Sequence, residues 1–323
     1  MIRSAVKGKN IFITGGSGFI GSWLIERLIR DNKIWCYDNG RRFSPKVKEL
    51  IKHKNMTFIK GDILDVKLLR KSFPKKIDIV IHLAAIAGVS SYYKIPYETM
   101  KVNLIGTYNL LEIIKDRKLD VFIDFSTSEV YGRNARNVTE EDDTALGPIS
   151  DLRWTYSTSK IAAERLTHCY HRKFGIPAVS IRPFNVYGPF QIGEGAIQIF
   201  AQKALKNDTI VIHGDGSQVR AWCYIEDFLD GVMRCITKRK KAIGNTFNIG
   251  DPSGALTIKD LAQRIVRVSG SSSKLRFVKQ PRTDVDFRIP DISKAKRLLG
   301  FKPSMDITEG LRRSVEWYKE NPF

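Results

Sequence analysis

Cysteine is scarce in this 323-residue chain, and the four present, Cys36, Cys169, Cys223 and Cys235, form neither a Cys-x-x-Cys pair nor a cluster with histidine. That scatter argues against a disulfide framework and against a metal site, and leaves the cysteines as reduced packing residues. No run of some eighteen apolar residues occurs, and the opening residues from Met1 to Lys9 lack an apolar signal core, so a cytoplasmic location is expected. Fixed-period repeats and low-complexity tracts are absent too, which excludes solenoids and disordered arrays. Acidic residues are few. The 34 Asp/Glu against 54 Lys/Arg leave a net charge of +20, a balance that suits nucleic acid. However, the basic residues are spread over the chain without interleaved aromatics, so the expectation is a lysine-rich solvated surface with neither nucleic acid nor membrane as partner.

The residues that are present point to an α/β enzyme. Apolar residues make up 42% and charged residues 27%, enough for one large domain and a smaller one to bury cores. Asn10 to Thr14 is a short β-branched run, followed by Gly15-Gly16-Ser17-Gly18-Phe19-Ile20-Gly21 and a helical pattern through Trp23, Leu24, Leu28 and Ile29. Strand, glycine loop and helix in that order make a cradle for a pyrophosphate: glycines permit the tight turn, and the helix start favours negative charge. A second strand, Ile34 to Tyr37, ends in Asp38, placed to accept hydrogen bonds from a ribose. Its carboxylate favours NAD over NADP, although Arg41 and Arg42 nearby soften that exclusion. Further apolar strands at Thr57–Asp62, Ile77–Leu83 and Val121–Ser126 alternate with helical segments. This alternation predicts a doubly wound parallel sheet of Rossmann type, with the chemistry at the strand C-terminal ends.

At such an end stands Ser126-Thr127-Ser128-Glu129-Val130-Tyr131-Gly132, and downstream Tyr156-Ser157-Thr158-Ser159-Lys160 places a phenol and an ammonium on one helical face. A phenol with a nearby cation can act as a base, and the expectation is that Lys160 lowers the pKa of Tyr156. Thr127 supplies a hydroxyl, Ser128 another, and Glu129 a second acid or base.

Taken together, the glycine loop, the Ser-Thr-Ser-Glu-Val-Tyr-Gly segment, Tyr156-x-x-x-Lys160 and Arg182-Pro183-Phe184-Asn185-Val186-Tyr187-Gly188-Pro189 resemble the extended short-chain dehydrogenases that modify nucleotide sugars. The resemblance runs over nearly the whole chain. It implies NAD as cofactor, bound through Gly15, Gly18, Phe19, Ile20, Gly21, Asp38, Asp62, Ile63, Ala84, Ala85, Asn103 and Lys160. It implies a catalytic set of Thr127, Ser128, Glu129, Tyr156 and Lys160, and a nucleotide-diphosphate sugar, of UDP type, held by Asn185, Arg220 and Arg282. Read from the residues, His82 is a packed strand residue and Asn103 either lines the cleft or buttresses a helix, while Arg288 is an ordinary surface arginine.

The family logic passes through a transient C4 ketone and leaves three outcomes. Plain epimerisation needs no Glu129, dehydration needs an acid where this chain has Ser128, and loss of carbon dioxide from a uronate fits best. An RNA-binding, non-catalytic member of the superfamily and a redox-regulatory NAD sensor are the alternatives of other classes. The expected organisation is an NAD-binding domain over 1–182, rejoined by about 224–250, and a nucleotide-sugar domain over 183–223 and 251–323. By analogy with relatives, a homodimer forms through the helices around Gly106–Lys115 and Tyr156–Phe174.

Overall fold

The computed structural model describes residues 6–322, so residues 1–5 of the stretch read for a leader lie outside it. The chain begins β1 (Asn10–Thr14), α1 (Phe19–Leu28), β2 (Lys33–Asp38), α2 (Val47–Leu50), β3 (Met56–Lys60), α3 (Val66–Ser72), β4 (Ile79–His82) and α4 (Val89–Lys94). It continues α5 (Pro96–Ile114), β5 (Val121–Phe125), β6 (Asn134–Val138), α6 (Thr155–Phe174), β7 (Ala178–Pro183), β8 (Val186–Tyr187), α7 (Ala196–Leu205), β9 (Ile210–His213), β10 (Val219–Ala221) and β11 (Cys223–Tyr224). The remainder is α8 (Ile225–Thr237), α9 (Arg239–Ala242), β12 (Thr246–Ile249), β13 (Ala255–Thr257), α10 (Ile258–Ser269), β14 (Leu275–Val278), β15 (Phe287–Pro290), α11 (Ser293–Leu299) and α12 (Ile307–Glu320).

Seven parallel strands form the central sheet in the order β12-β7-β5-β4-β1-β2-β3. Strands β1, β4, β5, β7 and β12 are buried on both faces beneath helical crossovers, whereas edge strand β3 exposes Thr57 and Lys60. Along β1 the alternation is visible residue by residue: Ile11 and Ile13 enter one core, while Phe12 enters the other and stacks on Phe73 at 4.0 Å between ring centroids. The strand order reverses between β1 and β4, which opens a crevice beyond their C-terminal ends.

After β7 the chain leaves this sheet and returns as β12, then departs again into a smaller α/β part. There β13, β10, β15 and β6 form a four-stranded sheet, and α7, α10 and α12 pack on one another. Although β6 lies inside the span expected for the first domain, it pairs with β15 in this second sheet, so residues 134–138 tie the two parts together. Local chemistry sets the helix ends. Thr257 caps α10 by accepting from the Asp260 amide, Asp306 caps α12 by accepting from the Thr308 and Glu309 amides, and Gly175 ends α6 in the left-handed region at φ +71°.

Candidate active site

The crevice is a cleft of about 750 Å³ lined by the glycine loop, by the segments following β2 to β5, and by Tyr156, Lys160 and Asn185. Gly15 stands at φ +71°, and a Cβ there would lie 2.5 Å from the Ala84 nitrogen, so no other residue fits. A Cβ on Gly21 would meet Gly16 Cα at 2.6 Å, whereas one on Gly18 would make only an ordinary contact, 3.5 Å from the Gly15 carbonyl oxygen. The first turn of α1 has no side-chain cap, and its amide groups are free to meet an anion. At the far end of the cleft Asp38 accepts from the amides of Ser17 (3.0 Å) and Gly40 (2.8 Å), which fixes its carboxylate at the wall.

Ala84 and Ala85 line the middle of the cleft together with Asp62 and Ile63. Asn103 does not line it. With 1% of its surface exposed, Asn103 accepts from the Ile86 amide (2.8 Å) and donates to the Ile86 carbonyl (3.1 Å) and the Ser159 hydroxyl (3.0 Å). It therefore acts as a strut behind the loop after β4. His82 is likewise internal, bridging the Thr14 hydroxyl (2.7 Å) and the Thr107 hydroxyl (3.0 Å). Burial, reinforced by Lys160, pushes its pKa down to about 3 and keeps the ring neutral.

Tyr156 and Lys160 both face the cleft from α6, and Thr127 and Glu129 face it from the end of β5. The expected lowering of the phenol by Lys160 is corrected by the structure. Burial pushes Tyr156 up to about 12 against the pull of a hydrogen bond from Thr127, and the cation that favours its ionised form is Arg42. Lys160, 3% exposed, is itself lowered by burial and held up by Asp124 and Glu164.

Glu129 shows the strongest electrostatic arrangement. Its Oε2 lies 2.8 Å from Arg153 Nη1 and its Oε1 3.3 Å from Arg288 Nη2. Burial alone would raise its pKa, but Arg288 and then Arg153 overcome that and bring it down to about 2. The reading of Arg288 as a surface arginine is overturned: it is 1% exposed, and it also donates to the Ser128 carbonyl. The apolar surroundings Phe287, Ile289 and Pro290 were the available signal that this arginine sits in a buried strand. Arg153, 2% exposed, keeps its Nε buried without a hydrogen-bond partner among the described residues. Tyr92 was also missed; its ring lies on that of Tyr156 at 5.2 Å and 6° between planes.

From the segment after β7, Asn185, at φ +35°, donates to the Ala221 carbonyl at 3.1 Å while lining the cleft. Arg220 pairs with Asp284 at 3.2 Å and stands behind Glu129, and Arg282 is exposed over the Tyr93 ring at 4.2 Å. Neither arginine is among the residues lining the cleft.

A family model described as the NAD dependent epimerase/dehydratase family matches residues 11–250, and the chain belongs to that family. It is an NAD-dependent enzyme of that class. The UDP-N-acetyl-alpha-D-glucosaminuronate decarboxylase of Bacillus cytotoxicus is 33% identical over 97% of this chain and 98% of its own. A UDP-glucuronate 4-epimerase of Thermodesulfobacterium geofontis is 33% identical over 96% of each chain. Among solved structures, the UDP-glucuronic acid 4-epimerase of Bacillus cereus, in complex with UDP-glucuronic acid and NAD, superimposes with a TM-score of 0.86 at 33% identity, covering 96% of this chain and 99% of its own.

The residues present fit NAD. The loop closes only with glycine at 15 and 21, Gly18 leaves room for a diphosphate at an uncapped helix start, and Asp38 presents a carboxylate for ribose hydroxyls. Among the described residues no cluster suited to a metal ion occurs, and no helix is long and apolar enough to cross a membrane.

Proposed function

We propose that this protein removes carbon dioxide from a UDP-linked uronate by way of a transient C4 ketone. The observation that carries the reading is the Glu129 carboxylate pinned between Arg153 and Arg288 at the wall that also presents Tyr156. Two guanidinium groups against one carboxylate leave surplus positive charge, which favours an acidic sugar over a neutral one. A carboxylate with a pKa near 2 is a weak proton acceptor, so removal of the C5 proton, which dehydration needs, is poorly served. Ser128 in place of an acid counts against dehydration as well.

Bound NAD supplies a hydride acceptor and a positively charged ring in the cleft. Tyr156 accepts the proton of the C4 hydroxyl, and Thr127 holds the phenol by a hydrogen bond. With a ketone at C4 and a carboxylate at C6, the C5–C6 bond breaks, carbon dioxide leaves, and the electron pair moves onto the C4 oxygen, where the Tyr156 proton stabilises it. C5 then regains a proton, for which the Ser128 hydroxyl lines the cleft, and C4 would become an alcohol again when the hydride held by the cofactor returns to it and Tyr156 gives its proton back to the C4 oxygen. Glu129 keeps Arg153 and Arg288 in place and takes no proton in the cycle.

Incubation with UDP-glucuronate followed by mass spectrometry tests this reading. Loss of carbon dioxide is expected; an isomer of unchanged mass assigns 4-epimerisation instead, and loss of water assigns dehydration. Tyr156→Phe is expected to lower turnover by roughly 10²–10⁴-fold while NAD stays bound, and retention of full activity in that variant removes the phenol from the mechanism.

The same reading assigns 1–182 with 224–250 to NAD and 183–223 with 251–323 to the nucleotide sugar, with Asn185, Arg220 and Arg282 on the diphosphate side. It takes the protein to be cytoplasmic. A homodimer through α5 and α6 is part of the proposal, supported by Tyr97, Ile105 and Tyr108, exposed at helical spacing on α5, and by Phe174 on α6. Sedimentation equilibrium of Tyr108→Glu, expected as a monomer, tests it.

A further inference from the structure

The net charge of +20 is not dispersed over the folded molecule. The connections leading into the N-terminal ends of the seven sheet strands, residues 6–10, 29–33, 51–56, 73–79, 115–121, 175–178 and 238–246, carry fifteen Lys/Arg against four Asp/Glu. Those 43 residues hold eleven of the twenty excess charges. At the opposite end, the segments after β1 to β5 that border the cleft, 15–18, 39–46, 61–65, 83–88 and 126–127, carry three Lys/Arg and two Asp/Glu. Because the sheet is parallel, all seven connections, six of them basic and 175–178 uncharged, emerge on one side of the molecule, away from the cleft.

Part of this pattern has a structural cause. Helices return antiparallel to the strands, so their C-terminal ends share this side, and a cation beside each is favourable. That accounts for Lys115 after α5 and Lys238 after α8. It does not account for four consecutive cations at 238–241, for Lys75 and Lys76, which follow an extended break, or for Lys7 and Lys9, which follow no described helix. Some cations are partnered, as Lys9 and Arg239 are with Asp120, but Lys75, Lys76, Lys240 and Lys241 are exposed.

We infer that this side of the sheet is a docking face for an anionic membrane surface. Three observations select a bilayer. Seven strands about 4.8 Å apart spread the charge over roughly 30 Å in a broad array that matches an extended partner. Twelve of the fifteen cations are lysine, which attracts as a point charge, and three are arginine, the residue favoured for bidentate phosphate contacts. No exposed aromatic side chain stands in these connections to stack on bases, and Ile51 is their one exposed large apolar residue among those described. The face therefore rests on head groups and inserts nothing. Seated this way, the protein turns its cleft toward solvent, open to a soluble nucleotide sugar.

Flotation of the NAD-loaded full-length protein with vesicles tests the inference. The expected result is binding to phosphatidylcholine vesicles containing about one third phosphatidylglycerol, none to phosphatidylcholine alone, and release as salt rises from roughly 50 to 300 mM. Replacing Lys75, Lys76, Lys240 and Lys241 together by Glu is expected to weaken binding roughly a hundredfold or more without changing nucleotide-sugar turnover. A charge-matched variant, with Glu at Lys206, Lys259, Lys274 and Lys319 outside the face, is expected to keep binding. Equal loss in both variants makes net charge the cause and overturns the docking face. Absence of vesicle binding overturns it as well, and so does tighter binding of an unstructured RNA than of anionic vesicles at the same salt.

Discussion

Tyr92 lies flat on Tyr156, with planes 6° apart, and Arg153 stands over the other side of the cluster at 5.5 Å from the Tyr92 ring. Stacking at this distance holds the Tyr156 phenol in one orientation, which is worth about 0.5–1.5 kcal/mol beyond burial. Tyr92→Phe is accordingly expected to leave kcat within about twofold, and Tyr92→Leu to lower it about three- to tenfold with little change in NAD affinity. Equal kcat in both variants, by steady-state assay, removes the positioning role. A larger effect is expected at Glu129. Glu129→Gln leaves Arg153 and Arg288 buried without a counter-charge, a loss of about 3–5 kcal/mol, read as a lower midpoint in urea. At this scale, the placement of the glycine loop, Asp38, Tyr156 and Lys160 at one cleft was legible because each belongs to a local pattern that fixes where it lies. Arg288 was not. Its meaning depends on β15 running beside β6, a contact across 153 residues of chain that no local pattern encodes. Asn103 was half legible: its burial follows from helical periodicity, but its clasp on Ile86 follows only from where the loop after β4 comes to lie.

Neighbouring strands couple two buried groups of opposite habit. His82 on β4 and Asp124 on β5 are register partners, both are fully enclosed, and both feel Lys160. The folded pKa of His82 is lowered from 6.5 to about 3, so the unfolded chain holds the extra proton between those values. Stability from His82 therefore rises with pH through that window and is complete above 6.5. Asp124 behaves in reverse. Burial raises its pKa from 3.8 to about 6, the folded chain holds the extra proton, and its contribution is complete below 3.8 and lost as pH rises to 6. Between pH 3.8 and 6 the two slopes oppose each other and stability is expected to vary little. Asp124→Asn uncovers the histidine slope, a loss of up to ~1.4 kcal/mol per pH unit on acidification through that range. Urea titrations at several pH values check this, and a variant as flat as the parent contradicts the compensation. Element order and type were legible here because parallel strands buried on both faces read as continuous apolar runs. The pairing of β6 with β15 was not, since Asn134-Ala135-Arg136-Asn137-Val138 is mostly polar and lacks both an apolar run and a strict alternation.

Across the whole molecule, the two parts meet at more than the cleft floor. Glu194, just before α7, accepts from the Ser90 amide at 3.1 Å and from the Ser90 hydroxyl, joining the first turn of α4 to a segment 104 residues later. Arg42, from the loop after β2, lies beside both: a Cβ on Gly88 would fall 2.7 Å from its Nη2 and 3.3 Å from the Glu194 carboxylate. The hydrogen bonds to Ser90, and then Arg42, hold Glu194 below the usual carboxylate range despite some burial. Three connections thus converge over one side of the mouth, where Gly88, Arg42, Gln191 and Ile192 line the entrance. Gly88 at φ +110° and Gly193 at φ +127° flank the contact in backbone conformations that only glycine adopts without strain. Arg42 and Gly88 of this contact line the cleft that a dinucleotide would fill. Glu194 is exposed, so the bridge is worth a surface ion pair rather than a buried one, about 0.5–1 kcal/mol. Glu194→Ala is therefore expected to speed NAD release about two- to fivefold, measured by stopped-flow displacement. The thermal midpoint should move little, because the contact buries almost nothing. Release at the parent rate places the barrier elsewhere and leaves the bridge a static tie between the two parts.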